Sequence, residues 1–370
     1  MKFVYFTHSL ASCWNHGNAH FLRGVIRELI AAGHDVAVYE PESSWSLSNL
    51  LADAGEQVLA AYKAAYPELT SQTYSRDIEL ASVTAAADVI IVHEWNDEWL
   101  VAALGSLRKA RGRFQLLFHD THHRAVSDPA AMRAYDLSGY DGVLAFGEVL
   151  ADVYRKWGWG NRVFTWHEAA DIRHFHPVAR EGVREGLVWI GNWGDDERSA
   201  ELQQFLFEPA RAAGLRLDIY GVRYPADALD LIRAAGAHYC GFLPNARVPE
   251  LFARHIATVH VPRRFYVTAL PGIPTIRVFE ALACGIPLIC SPWEDRENLF
   301  RPGRDYLVAH DRAEMTRHLR ALAGDPELRQ ELAANGLATI RARHTCAHRM
   351  QELLAIVARL KGARELEAVA

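Results

Sequence analysis

The sequence predicts an α/β fold that is divided into two domains. The chain has 370 residues, which is long for one ordinary domain and suits two. Short β-rich runs alternate with helical segments, which is typical of helices layered on a parallel sheet. The alternation stops at a stretch of mixed composition over residues 166–186 and then starts again, which indicates a domain boundary.

The first half of the chain contains the predicted elements of one layered domain. An amphipathic helix over residues 18–32 ends at Gly33, because glycine accepts the left-handed conformation that often closes a helix. Strands are predicted at residues 2–7, 35–39, 88–92, 114–118, 142–146 and 162–166, with further helices at 50–65 and 147–156.

The second half repeats the pattern. Strands are predicted at residues 187–190, 216–220, 258–261 and 287–290, and helices at 196–213, 226–235, 249–253, 275–284, 312–323 and 326–341. A last amphipathic helix covers residues 346–361. The predicted domains are therefore residues 1–170 and 171–345, with a C-terminal helical segment over 346–370.

Composition excludes several classes of protein. A net charge of −5 argues against non-specific binding of nucleic acid. The five cysteines are widely spaced without a Cys-x-x-Cys pair, which predicts a reduced, cytoplasmic protein without a zinc site. The N-terminal apolar run is too short for a signal peptide, and no stretch approaches the roughly 20 apolar residues that span a membrane. Peripheral contact with a membrane is left open.

The most informative stretch runs from residue 271 to 289, with the sequence PGIPTIRVFEALACGIPLI. It predicts a loop, a short helix that begins at Thr275 and carries Glu280, and a following strand. The free N–H groups and positive dipole end at a helix start favour an anion such as a phosphate. A carboxylate further along the helix accepts hydrogen bonds from vicinal hydroxyls. Together they indicate a nucleotide-sugar donor, whereas an isolated Glu would be an ordinary surface residue.

This stretch resembles the donor motif of the GT-B glycosyltransferases grouped around the retaining family 4, where a Glu precedes Ala-(Met/Leu)-Ala-Cys-Gly-x-Pro. The resemblance implies two Rossmann-like domains facing across a cleft, with the terminal helix crossing back to the N-terminal domain. It also implies that Glu280 binds the ribose hydroxyls. Thr275 and the N–H groups of Ile276 and Arg277 would then face the diphosphate.

One position departs from the pattern of these enzymes. Many of them carry a second Glu eight residues before the first, where it reaches the donor sugar, and this chain has Gly272 there. The motif therefore does not identify the sugar. The run from Leu270 to Ala281 is more similar to the spore-maturation-protein type of glycosyltransferase domain.

Other residues that follow strands of the second domain are candidates for contact with the diphosphate. Gly191 and Asn192 open a loop where glycine allows the backbone to approach a phosphate, although an ordinary strand-to-helix turn has the same composition. In the resembling enzymes this loop brings an Arg and a Lys, and Asn192 and Arg198 lie near those places. Three further candidates follow other strands, where open α/β sheets bind ligands: Tyr220, Arg223 and Arg263.

The segment after the buried run 114–118 supplies the candidate catalytic residues His119, Asp120 and His122. By the resemblance, His119 faces the donor sugar, and His119 or Asp120 assists the acceptor hydroxyl or holds the sugar. A metal site is the competing interpretation. Because His122 and His123 are adjacent, they would point to opposite sides of a strand, and no second ligand cluster is present. No metal is therefore predicted.

Two loops of the first domain are candidates for binding the acceptor. The loop after the first strand contributes His8, Asn15, His16 and Gly17, and it replaces the glycine-rich loop of the resembling enzymes with polar residues. His93 follows another strand in the same way.

The prediction is a glycosyltransferase that moves a sugar from a UDP-, GDP- or dTDP-linked donor to an acceptor hydroxyl, without a cofactor or metal, in glycan biosynthesis. Retention at the anomeric carbon is implied by the resemblance alone. The chain has no Asp-x-Asp triplet, no Gly-x-Gly-x-x-Gly and no P-loop. A nucleotide-sugar epimerase and a non-catalytic nucleotide-sugar binding subunit are the alternatives. The acceptor is a sugar, lipid-linked glycan, protein or small molecule rather than nucleic acid, and the protein is a monomer or homodimer.

Overall fold

The structure is a computed structural model that describes residues 1–15 and 17–369, with the side chains of all these except residues 111 and 364–369. It divides into two compact units. The first unit is Met1–Glu168 with Cys346–Ala370, and the second unit is Ala169–Thr345. None of the described helices combines the length and apolar character needed to cross a bilayer.

The first unit is built on a parallel sheet of seven strands. They are β1 (Lys2–Phe6), β2 (Asp35–Pro41), β3 (Gln72–Tyr74), β4 (Val89–His93), β5 (Gln115–Asp120), β6 (Gly142–Ala145) and β7 (Val163–Thr165). The spatial order is β3-β2-β1-β4-β5-β6-β7. Strands β4 and β5 are buried along their whole length, as expected for a parallel sheet covered on both faces.

Helices join these strands, and the described residues form more of them than the three that were predicted. They are α1 (Ala19–Ala31), α2 (Trp45–Ala54), α3 (Gln57–Ala65), α4 (Leu80–Val83), α5 (Glu98–Arg111), α6 (Arg124–Ser127), α7 (Pro129–Ala134) and α8 (Glu148–Tyr154). The single helix predicted over residues 50–65 is two helices. Gly55 separates them because its φ of 69° lies outside the helical range.

The second unit repeats the architecture with six parallel strands. They are β8 (Leu187–Ile190), β9 (Leu217–Tyr220), β10 (His238–Gly241), β11 (Ala257–His260), β12 (Leu288–Cys290) and β13 (Leu307–Val308), in the order β10-β9-β8-β11-β12-β13. Its helices are α9 (Ser199–Leu202), α10 (Glu208–Ala213), α11 (Ala226–Ala234), α12 (Val248–Phe252), α13 (Arg264–Thr268), α14 (Ile276–Ala283), α15 (Arg312–Gly324) and α16 (Pro326–Arg343). The helix predicted from residue 196 begins at Ser199 and passes through a π-helical turn, Gln203–Phe207, into α10.

The last helix, α17 (Cys346–Val369), belongs to the first unit. The side chain of Gln115 on β5 donates to the Val357 carbonyl of α17 at 2.8 Å, and the Trp166 indole donates to the Arg349 carbonyl at 2.8 Å. The terminal helix therefore packs on the N-terminal domain, as predicted. The ends of the second unit lie side by side, because Ala170 and Thr345 form a parallel β-bridge.

Both sheets contain a point where the strand order reverses. In the first unit β1 lies between β2 and β4, and in the second unit β8 lies between β9 and β11. Successive connections leave such a point on opposite faces, so the loops after the two strands flank a crevice at the carboxyl edge of the sheet. The loops after β1 and β4, and those after β8 and β11, are therefore the candidate ligand-binding loops of the two units.

Candidate functional site

The start of α14 lies in the second unit at the carboxyl edge of the sheet. Thr275 precedes the helix with an extended backbone, and its side chain does not cap the helix N–H groups. Its Oγ1 instead lies 3.0 Å from His260 Nε2, at the end of β11. The first N–H groups of α14 therefore remain available to an anion, as the sequence motif predicts.

The loop before α14 leaves no room for the second Glu of the resembling enzymes. Gly272 has a φ of 106°, and a Cβ there would lie 3.2 Å from the Cβ of Arg296. The Trp293 indole donates to the Ile273 carbonyl at 3.0 Å and fixes the loop from the other side. A side chain at position 272 would be strained, so this backbone does not suit a Glu at that place.

Glu280 is completely buried on α14. Its Oε1 accepts a hydrogen bond of 2.7 Å from Asn245 Nδ2, and its Oε2 forms an ion pair with Arg277, one helical turn earlier. A buried carboxylate is costly unless it is hydrogen-bonded and paired, and these two donors supply that compensation. The carboxylate that was predicted to bind ribose is therefore held in one place by the protein itself.

Three arginines concentrate positive charge near the start of α14. Arg198 is partly buried, and its guanidinium donates to the carbonyl groups of Asn192, Trp193 and Val261, at 2.5, 3.4 and 3.0 Å. Burial, followed by the charges of Arg263 and Arg277, lowers the pKa of Arg198 to about 10. Like charges this close repel each other, and a bound dianion would relieve that repulsion.

The same charges act on His260. Burial, then Arg198 and Arg277, lower its pKa to about 3, so the imidazole beside Thr275 is neutral at physiological pH. Two side chains near this position went unnoticed in the sequence: His260 is the last residue of β11, and Asn245 follows the exposed strand β10.

The loops after β8 and β9 contact each other closely. A Cβ on Gly221 would lie 2.0 Å from the Gly191 carbonyl oxygen, which accepts a hydrogen bond of 2.7 Å from the Tyr224 hydroxyl. Asn192 Oδ1 accepts from the Val222 N–H at 3.2 Å. Gly191 and Asn192 therefore shape the crevice through backbone and amide contacts.

The remaining donor candidates are ion-paired or bonded to neighbouring loops. Arg263 is paired with Glu197 at 3.0 Å, and Arg223 is paired with Asp195 at 2.8 Å in a solvent-exposed position. The Tyr220 carbonyl accepts from the Gly191 N–H at 2.9 Å, and its ring lies beside Cys240 on β10. Burial and Cys240 raise the pKa of the Tyr220 hydroxyl to about 12.

In the first unit, His119 is a buried histidine near the end of β5. Its ring packs against Trp166 at 4.8 Å and Phe21 at 6.0 Å between ring centroids, and its Nε2 makes no hydrogen bond to any described residue. Burial lowers the pKa of His119 to about 3. The imidazole is therefore neutral, with one ring nitrogen free to bond a ligand hydroxyl.

A polar triangle surrounds His93 at the end of β4. Its Nε2 lies 2.9 Å from Asn18 Nδ2 and 3.0 Å from Thr121 Oγ1, and these two side chains are 3.1 Å apart. Asn18 precedes α1 without capping it. The network joins the loops after β1, β4 and β5. Thr121 belongs to no sequence motif and was not predicted as a site residue.

Asp120 and Glu94 are fully buried carboxyl groups behind this triangle. Tyr154 donates its hydroxyl to Asp120 at 2.7 Å, and the His122 N–H donates to the same side chain at 3.0 Å. Glu94 accepts from Arg124 and Thr121. Burial raises the pKa of both carboxyl groups, and the neighbouring Asp120 adds to the rise at Glu94.

The structure corrects one part of the metal argument. His122 and His123 lie on a turn rather than a strand, and their ring centroids are 4.0 Å apart instead of pointing to opposite sides. Among the described residues, no three His, Cys, Asp or Glu side chains are placed to hold a metal ion.

The acceptor candidates of the first loop are only partly brought together. The His8 ring lies 5.7 Å from that of His93, and burial lowers the pKa of His8 to about 4. Asn15 has a φ of 50° in the turn before α1, and Gly17 is exposed. His16 lies outside the described residues.

Comparison with known proteins identifies the class. Residues 198–355, less than half of the chain, match a family described as glycosyl transferase-like. This match confirms the enzyme class predicted from the sequence, a glycosyltransferase. No curated protein matches the chain in sequence.

Solved structures show the same fold at low sequence identity. An α-glucosyltransferase in complex with UDP and a 13-mer DNA is 12% identical with a TM-score of 0.69, covering 97% of this chain and 99% of that one. HepE from Anabaena, in complex with UDP and glucose, is 12% identical with a TM-score of 0.64, and the match covers 97% of this chain and 100% of that one. The T4 phage BGT, in complex with UDP-glucose, is 13% identical with a TM-score of 0.58, and the match covers 96% of this chain and 99% of that one. The chain therefore has the predicted GT-B fold of two Rossmann-like domains.

Proposed function

We propose that this glycosyltransferase uses a UDP-linked sugar as its donor, which binds to the second unit, and an acceptor that binds to the first unit. The observation that carries the proposal is the uncapped start of α14 beside Arg198, Arg263 and Arg277. Free helix N–H groups favour a diphosphate, and so does Arg198, which bonds to backbone carbonyl groups, whereas Arg263 and Arg277 are ion-paired with Glu197 and Glu280 and would have to exchange those partners for the ligand. Uridine is supported by the fold neighbours, three of which are described with UDP or UDP-glucose.

Glu280 supplies the matching contact for ribose in this proposal. Its carboxylate is buried, fixed by Asn245 and placed on the same helix whose start receives the diphosphate. Arg277 is paired with Glu280, and its Nε makes no hydrogen bond to any described residue. We propose that a bound diphosphate draws Arg277 toward it and leaves Glu280 Oε2 to accept from a ribose hydroxyl.

In the transfer step the acceptor oxygen forms a bond to the anomeric carbon, and the bond from that carbon to the diphosphate breaks. UDP leaves with the bonding electrons, and the acceptor proton passes to the diphosphate or to solvent. The α14 N–H groups and the arginines stabilise the charge that develops on the leaving group. His119 Nε2 is proposed to hold the acceptor hydroxyl or the donor sugar.

Two finer properties are also proposed. Transfer is metal-independent, because arginines supply the positive charge that a metal provides in other transferases, and activity in excess EDTA tests this. Transfer retains the anomeric configuration, which NMR of the first-formed product tests. Five free cysteines support a reducing, cytoplasmic setting, and the run 270–281 supports the likeness to the spore-maturation-protein type.

A substitution at Glu280 tests the donor site most directly. Glu280→Gln keeps the shape but removes the charge, and we expect UDP affinity to fall about tenfold to a hundredfold, since a charged hydrogen bond contributes about 1.5–3 kcal/mol. Isothermal calorimetry with UDP, GDP and dTDP measures the change and names the base. Glu250→Gln, on an exposed face of α12, is the control. Unchanged UDP affinity in a folded Glu280→Gln variant would refute the donor site.

A further inference from the structure

The carboxyl ends of β1, β4 and β5, three adjacent central strands, form one face of the first unit, which we call the first-unit edge (residues 7–15, 17–18, 94–98 and 120–124). Loop 7–18 contains no Asp, Glu, Lys or Arg. The other two loops contain four acidic residues and a single basic one: Glu94, Asp97, Glu98, Asp120 and Arg124. Of these acidic residues, Asp97 and Glu98 are exposed, so the exposed carboxyl groups of this edge are negative.

The single cation of the first-unit edge is already neutralised. Arg124 forms an ion pair of 3.2 Å with Glu94 and donates to the Glu94 carbonyl at 2.7 Å. Its guanidinium also lies 4.1 Å from the centre of the Trp95 ring. A bidentate partner and an aromatic face together hold the guanidinium in place, so it is not free to bind an incoming phosphate.

Two imidazoles of the same edge, those of His8 and His119, supply no positive charge at neutral pH. Burial lowers the pKa of His8 to about 4 and that of His119 to about 3. Asp97 and Glu98 are exposed and negatively charged. A phosphate brought to this edge would meet carboxylates without a compensating cation, at a cost of about 1 kcal/mol for each charge pair at short range in water.

What the edge does offer is an aromatic surface beside neutral polar groups. Trp95 is 43% exposed, although large apolar side chains are usually covered, and the His122 ring meets its ring edge at 5.2 Å between centroids. The unbonded Nε2 of His119 and the unbonded Oδ1 of Asn18 are neutral hydrogen-bonding atoms of the same edge. An apolar face with a few placed polar atoms suits a ring that has both C–H and O–H groups.

We propose that the first-unit edge binds a neutral polyhydroxylated acceptor, a sugar ring that stacks on Trp95, and that it discriminates against phosphorylated acceptors, including nucleic acid. This inference rests on the proposed transfer function. One fold neighbour is described in complex with DNA, so the acceptor class of this chain does not follow from its fold.

The test uses the full chain with UDP-glucose and pairs of acceptors that differ only in phosphate. The acceptors are methyl glucosides, galactosides and N-acetylglucosaminides, each compared with its 6-phosphate, together with a double-stranded oligonucleotide. Acceptor-dependent release of UDP is expected with a neutral member, with a KM at least tenfold below that of its phosphate. Sodium chloride from 50 to 500 mM should leave that KM unchanged, because neutral ligands release no counterions.

Three outcomes overturn the inference: a lower KM for the phosphate, release driven by the oligonucleotide, or no saturable binding of any neutral probe to the UDP-loaded chain. Failure of the proposed function is separate, because it appears as no binding of UDP in calorimetry before any acceptor is added.

Two substitutions sharpen the assignment. Trp95→Ala should raise the KM for the neutral acceptor at least tenfold without changing UDP affinity, whereas Trp45→Ala, the other highly exposed tryptophan of this unit, should leave that KM unchanged. Glu98→Lys should lower the KM for the phosphorylated partner severalfold. Equal effects of the two tryptophan substitutions, or no gain with Glu98→Lys in a folded protein, contradict the proposal.

Discussion

The two units use the same device behind the loop that follows their first strand, with opposite electrostatic results. In the first unit, buried Arg23 donates to the carbonyl groups of Leu10 and Ala11, both at 2.9 Å. In the second unit, the partly buried Arg198 donates to the carbonyl groups of Asn192, Trp193 and Val261. Each guanidinium ties a loop to the sheet by satisfying backbone acceptors that would otherwise be buried without partners.

The neighbours of the two arginines explain the difference. Burial lowers the pKa of Arg23, but Cys13, Tyr66 and Tyr62 raise it above its usual range, and the two tyrosine rings lie 5.1 and 4.8 Å from the guanidinium. Arg198 faces Arg263 and Arg277, and its pKa falls. The comparison teaches that an arginine that ties a loop to the sheet favours anion binding only where further arginines lie beside it.

The largest expected effect comes from removing each arginine in turn. Arg198→Met should lower UDP affinity about a hundredfold, because the crevice loses a cation and the donor for three carbonyl groups. Arg23→Met should leave UDP affinity unchanged and lower the free energy of unfolding by about 2–4 kcal/mol, since two buried carbonyl groups lose a charged donor. Calorimetry with UDP and urea unfolding measure the two quantities. If Arg198→Met and Arg23→Met lowered UDP affinity equally, the proposed difference between the two arginines would be wrong.

A smaller difference is expected between the two neutral buried histidines. His119→Asn should lower kcat about tenfold to a hundredfold and leave UDP affinity unchanged, because it removes a free hydrogen-bonding nitrogen worth about 1.5–3 kcal/mol to a developing charge. His260→Asn should weaken UDP binding, because it releases Thr275 at the start of α14. Steady-state kinetics together with calorimetry separate the effects, and a drop in UDP affinity for His119→Asn would contradict them.

The smallest effect is a pH dependence that both units share. His119 and His260 have folded pKa values of about 3, below the unfolded value near 6.5, so the unfolded chain binds protons first as the pH falls. Each histidine therefore lowers stability by up to about 1.4 kcal/mol per pH unit below pH 6.5, in a direction opposite to the buried carboxyl groups with raised pKa. Urea unfolding at pH 7.5 and 5.5 measures the slope.

Asparagine at either position should flatten that slope. If the pH dependence of stability were the same in the wild type, His119→Asn and His260→Asn, it would not originate in these two histidines.

Sequence reasoning succeeded where a strand was an apolar run and where a motif marked a helix start. The buried strands and the α14 motif have such signals, because burial on both faces demands apolar residues and an anion site demands free N–H groups. Strand β10 has mostly exposed residues at the sheet edge, so its pattern carries no apolar signal. Asn245, which follows it, was missed for that reason.

The contacts of individual side chains were beyond sequence reasoning. The pairing of Arg277 with Glu280 and the triangle of Asn18, His93 and Thr121 depend on rotamers and on loops brought together by the sheet order. The short distance between His122 and His123 was mispredicted because both residues lie on the turn after β5, where adjacent side chains do not alternate as they do on a strand.

The β-bridge between Ala170 and Thr345 has a consequence for synthesis. The second unit begins and ends at adjacent points, so it is an insertion in the chain of the first unit, whose last helix is made only after residue 345. During translation the second unit is complete before the first unit. Until residues 346–369 have been synthesised, the surface of the first unit that α17 covers stays exposed to solvent.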